Sequence, residues 1–126
     1  MPQANDIVVK DDKEQSKTFS LVSPASSDKT VALFSLKEGD SGLVYPRITV
    51  SSWRTNAGRK VDVRLTVPEP DKKDTQRAIA NVVMHLQMSI PDVVSEGQKL
   101  RASAFVANLV NHALIKQCLK DGVSPT

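Results

Sequence analysis

The chain has little of what would mark an exported, membrane-bound or catalytic protein. It holds one cysteine, Cys118, in 126 residues. No internal disulfide is possible, which fits a reducing compartment. The N-terminus carries no apolar h-region, so no signal peptide is expected. No apolar run approaches the roughly 20 residues that span a bilayer. The expectation is a protein made in a cytoplasm, soluble there, with no membrane partner. Charge of one sign is also scarce. A net charge of +3 and a pI near 9.1 do not identify a nucleic-acid binder, so the placement of the charges must decide. His85 and His112 do not make a metal pair, and no His, Cys and carboxylate cluster has ligand spacing. A glycine-rich phosphate loop, a nucleophile motif and paired catalytic carboxylates are all missing. No metal, cofactor or catalytic residue is expected, and nothing asks for an enzyme. Internal repeats are absent too.

What is present is one ordinary globular domain by length, 40% hydrophobic and 25% charged. Its most informative stretch runs from Arg47 to Pro68, RITVSSWRTNAGRKVDVRLTVP. Ile48, Val50 and Ser52 alternate with Thr49, Ser51 and Trp53. Val61, Val63, Leu65 and Val67 alternate with Lys60, Asp62, Arg64 and Thr66. Thr55-Asn56-Ala57-Gly58 supplies a turn between the two runs. Side chains alternate across a strand, so this hairpin has one apolar face and one of hydroxyls and cations. Arg47, Arg54, Arg59, Lys60 and Arg64 fall within it, against a single acid, Asp62.

The flanking chain reads as more antiparallel strand, then helix. Residues 6–22 form an N-terminal hairpin with a polar tip at Asp11 to Gln15, and Thr30 to Leu36 a third strand. The main sheet occupies 30–90. Pro68 to Asp74 is expected as loop, because two prolines and four consecutive charges do not suit a sheet centre. From Ile79 to Ile90 the period of two resumes, with Ala80, Val82, Met84, Leu86, Met88 and Ile90 on one face; this favours strand over helix. Ser95 and Gln98 have capping-box spacing, and Asp121-Gly122 supplies a stop. The helical region therefore covers 95–121, as one kinked helix or two that break near Asn111. Cys118 falls on its apolar stripe.

The fold class is α+β: an N-terminal hairpin, an antiparallel sheet of about five strands, and a C-terminal helix or helix pair. Five strands of six residues make a face roughly 24 Å by 20 Å. A helix covers a strip only about 10 Å wide. One helix cannot roof that face, so a second copy is expected to complete it, as a homodimer with exchanged helices.

The residues Arg47-Ile48-Thr49-Val50-Ser51, the turn Thr55 to Lys60, the arm ending Val67-Pro68, and Met84-His85-Leu86-Gln87-Met88-Ser89-Ile90-Pro91 with the helix after it resemble the coat proteins of single-stranded RNA bacteriophages, the leviviruses. The likeness covers most of residues 44–120; the first 40 match as a pattern only. It implies a single coat-protein domain that dimerises and assembles into an icosahedral shell. It also implies that the inner sheet face binds genomic RNA, including a stem-loop, to package the genome and repress translation. The implied location is the virion, assembled in the host bacterial cytoplasm.

By position, Thr49, Ser51, Lys60, Arg64, His85 and Gln87 lie where the family sets side chains against RNA. Lys60 and Arg64 suit phosphates, and Thr49 and Ser51 suit the rim of a pocket for an extruded base. Trp53 can stack a base or pack at an edge, and Arg54 and Arg59 lie near the turn within reach of a backbone. Three positions depart from the pattern. Asp62 stands where better-known members carry a small hydroxyl, Val83 where some carry an aromatic ring, and His85 where an amide is typical. The expectation is RNA binding with a different hairpin sequence. By itself a polar sheet face is more often merely solvated. The alternatives are a non-assembling dimeric RNA- or DNA-binding regulator of α+β type and, more remotely, a small-ligand enzyme.

Overall fold

The computed structural model of the chain describes residues 5–27 and 30–125. The start of the chain, and the part of the Ser23 to Asp28 loop at Asp28, lie outside them. Six strands form one antiparallel sheet in sequence order: β1 (Ile7–Lys10), β2 (Ser16–Ser23), β3 (Val31–Ser35), β4 (Arg47–Arg54), β5 (Gly58–Pro70) and β6 (Ala78–Pro91). Two helices follow, α1 (Glu96–Val110) and α2 (Ala113–Asp121). The α+β class and the N-terminal hairpin stand as read from the sequence. The hairpin is continuous with the sheet, which is why the strands number six. The chain divides after Ser89 into two compact units.

In the first unit, β4 and β5 are joined by a turn that Thr55 closes. Its amide donates to the Gly58 carbonyl at 2.7 Å, and its hydroxyl accepts from the Gly58 amide at 3.2 Å. Pairing runs from Arg54↔Arg59 to Arg47↔Thr66. The periodicity is thereby converted into register, because every apolar residue of β4 meets its partner on the same side. The core is small. Phe19, Ala32 and Phe34 are buried together, and Ile7, Leu21, Leu36, Ile48, Val50 and Leu65 pack against them. A register shift between Leu21 and Ser23 interrupts the pairing of β2 with β3. The tip of that hairpin is held by Asp11, whose carboxylate accepts the amides of Lys13 and Gln15 at 2.9 and 3.0 Å.

Two local readings are corrected. Pro68 and Pro70 lie in β5 rather than in a loop. They come after Thr66, past the end of the pairing with β4, where a missing amide breaks no bond to that strand. Between β3 and β4 a short 3₁₀ turn, Gly42–Val44, was not anticipated. It buries Val44 beneath Gly39, which has φ +132; a Cβ there would meet Val44 Cγ2 at 2.6 Å. Only glycine fits this position without a shift.

In the second unit, Ser95 caps α1 by accepting the Gln98 amide at 3.3 Å. The helix stops at Asn111. His112 then caps α2, its Nδ1 accepting the Leu114 amide at 3.2 Å. The region is thus two helices rather than one kinked helix. Gly122, in the left-handed conformation at φ 70, ends α2 and donates its amide to the Cys118 carbonyl. Neither helix has a buried residue. Among the described residues no helix is long and apolar enough to cross a membrane.

Candidate nucleic-acid interface

The register of β4 and β5 sorts their side chains. Ile48, Val50 and Leu65 touch the core, so the residues between them face the other way. That second face carries the directly opposed pairs Arg47↔Thr66, Thr49↔Arg64, Ser51↔Asp62 and Trp53↔Lys60. In the two middle pairs a hydroxyl on β4 stands opposite a charge on β5, Thr49 against Arg64 and Ser51 against Asp62. Thr49, Ser51, Lys60 and Arg64 therefore share one surface, with Trp53 half-buried at its end beside the turn.

Strand β6 joins this surface through His85. Its Nε2 contacts Asp62 Oδ1, and Arg64 Nε lies 3.5 Å from Asp62 Oδ2. Asp62 is drawn in between the two, its side chain 14% exposed against 55% for Arg64 and 43% for His85. By the period of two, Val83 and the exposed Gln87 lie on the same face as His85. The sequence-derived residues Thr49, Ser51, Lys60, Arg64, His85 and Gln87 thus come together on three adjacent strands. Arg54 and Arg59 do not join them. They oppose each other in the register of the apolar face, and an Arg59 guanidinium nitrogen donates to Ser52 Oγ at 3.4 Å on that side.

Two participants went unrecognised as such in the sequence. Arg47 extends the cationic surface one step beyond Thr49. It also lines, with Gly42, Leu43, Arg77, Ala78 and Asn81, an open depression of about 290 Å³. Its period-two relation to Thr49 and Ser51 was the available signal. The Asp62–His85 contact spans 23 residues and depends on the β5–β6 register, which no local pattern encodes. Among the described residues no cluster of three or more His, Cys, Asp or Glu is placed to hold a metal ion. Chemically, the surface offers cations for phosphates, hydroxyls and an amide for hydrogen bonds, and one carboxylate that only accepts.

No family model matches the sequence, and no curated protein matches it. Solved structures do match. A virus-like particle protein of Beihai levi-like virus 21 is 19% identical, with a TM-score of 0.85 over 99% of each chain. The virus-like particle protein of bacteriophage NT-214 is 18% identical, with a TM-score of 0.83 over 99% of this chain and all of that one. The capsid protein of bacteriophage GA is 18% identical, with a TM-score of 0.72 over 95% of both. The fold is that of levi-like phage coat proteins.

Proposed function

We propose that this chain, built on the fold shared by levi-like phage coat proteins, is itself a coat protein. It forms dimers that assemble into an icosahedral shell, and it binds genomic RNA on the β4–β6 face that carries Thr49, Ser51, Lys60 and Arg64. Its role is structural, with no catalytic step. Binding neutralises phosphates through the cations, a sequence-independent contribution. Sequence enters where unpaired bases meet the hydroxyls and Asp62. Repression of translation follows if one stem-loop is preferred over the rest of the genome.

The observation that carries this reading is the fold match along almost the whole chain to proteins of particles and capsids. Exposed apolar side chains support the dimer. Val82 and Met84 on β6, and Leu100, Phe105, Leu109, Leu114 and Leu119 on the helices, are all exposed in the single chain. Large apolar side chains exposed on β6 and, separately, on the helices mark interface surface, and a second copy covering β6 with its helices would remove them from water.

The test is expression of the chain alone, followed by size-exclusion chromatography and negative-stain microscopy. The expected result is hollow particles in the megadalton range that protect RNA from nuclease. Discrete dimers that bind RNA and never assemble would favour the regulator instead. A monomer without nucleic acid would remove the reading altogether.

A further inference from the structure

Asp62 is out of place on a surface meant for phosphates. A carboxylate repels the backbone and offsets one of the few cations around it. Yet it is the least exposed charged group of its cluster, held from two sides by His85 and Arg64. Directly across the strand pair stands Ser51, a short side chain. An ionised carboxylate offers about four acceptor positions on two oxygens. His85 Nε2 occupies one on Oδ1, and Arg64 Nε stands 3.5 Å from Oδ2 as an ion-pair partner, so each oxygen keeps an acceptor position. Two acceptors side by side, fixed in orientation, complement two adjacent donors. Among the four bases only guanine presents such a pair, its N1–H and exocyclic N2 amino group. Cytosine and adenine place a ring-nitrogen acceptor beside their amino group, and uracil flanks its single N–H with carbonyls. Each of these sets a lone pair against a carboxylate oxygen.

We propose that Asp62 reads an unpaired guanine in bound RNA, through two hydrogen bonds from the base edge, with His85 and Arg64 as positioning residues that hold the carboxylate plane. The inference rests on the RNA-binding reading above and adds to it the identity of one base. The competing role for Asp62 is a counter-ion that only steadies β5 against β6. The two differ in what they predict for base preference.

The experiment titrates the purified full chain with short uridine-rich RNAs that carry, at one central position, guanosine, inosine, adenosine or uridine. Inosine keeps N1–H and lacks only the amino group. The wild-type chain should bind the guanosine RNA roughly tenfold more tightly than the inosine RNA, the discrimination usual for a bidentate base contact. Asp62→Asn, which replaces one acceptor by a donor, should abolish the guanosine preference and raise the affinity for the adenosine RNA, whose amino group and ring nitrogen match the carboxamide. Equal affinity of the wild-type chain for guanosine and inosine RNAs, with binding still weakened by Lys60→Ala, overturns this inference alone; that comparison needs no variant at Asp62 to fold. A lower melting temperature for Asp62→Asn with an unchanged guanosine preference also overturns it. Absence of salt-dependent binding in the wild-type chain, unaltered by Lys60→Ala, overturns the RNA-binding reading itself.

Discussion

Lys60 and Arg64 act as single charges at the edge of water, and that sets what their removal can do. Arg64 is more than half exposed, so its ion pair with Asp62 adds little to folding. On the proposed reading its value lies in releasing counterions from bound RNA. Replacing either residue by alanine should lower the slope of log affinity against log salt by roughly 0.7 to 0.9 per cation. Dimers should persist in sedimentation experiments. Loss of dimers with RNA affinity unchanged would mean the two faces of β4 and β5 are exchanged. Asp11 provides a second residue-scale prediction, at the hairpin tip. The Gln15 amide above all, with the Lys13 amide and the charges of Lys17 and Lys13, holds its carboxyl below the usual 3.8, against an opposing effect of desolvation second only to the Gln15 bond. The folded tip therefore binds its proton less readily than the unfolded chain. Its stabilising contribution is present above pH 3.8 and lost as pH falls through the lowered value. The amide resonances of Lys13 and Gln15 should titrate together with a midpoint under 3.8, and Asp11→Ala should abolish the transition.

At the scale of elements, the two units differ in what holds them. Helix α1 has no buried side chain, so in the isolated chain its ends matter more than its packing. Ser95→Ala leaves the Gln98 amide without its partner and should destabilise the helix by about 1 kcal/mol. Ser95→Asp should restore it, read as helical signal in urea titrations; equal loss in both variants would put the effect elsewhere than the cap. Elements of this local kind were legible in the sequence. The Thr55 to Gly58 turn, the alternation through Val67 and the Ser95 cap each rest on residues within a few positions of one another. Strand β6 was legible for the same reason, six apolar residues at period two outweighing good helix formers. What escaped was set by non-local partners. Pro68 and Pro70 extend β5 because β4 has already ended beside them, which only the register reveals. The 3₁₀ turn at Gly42 exists because Val44 packs beneath Gly39. The separation of Arg54 and Arg59 from the residues of the polar face, by contrast, was available in the alternation itself, since both follow the apolar positions despite their charge.

The whole molecule is defined by what a single copy leaves unburied. Its described core consists of Phe19, Ala32 and Phe34 with their neighbours, plus Val44 at the 3₁₀ turn, all within the first unit. The second unit presents Leu100 at 71% exposure, Phe105 at 60% and Leu109 at 56%, with Arg101 stacked over the Phe105 ring at 5.3 Å. Covering apolar side chains on this scale with another surface is stabilising, each fully buried one contributing about 1.5–3 kcal/mol. If that surface is a second copy, stability depends on protein concentration, since dissociation and unfolding are linked. Leu109→Glu places a charge where the proposed interface excludes water, at a cost well above any gain at the rim. The variant should sediment as a monomer at concentrations where the wild-type chain is dimeric, and form no particles. Its strand signal in circular dichroism should remain, because none of the buried core residues belongs to α1. Leu109→Met, close in volume, should dimerise and assemble like the wild type. Dimers of unchanged affinity in the glutamate variant would show that α1 stays in water in the assembled protein, and that the apolar face of β6 is covered by something other than a partner's helix.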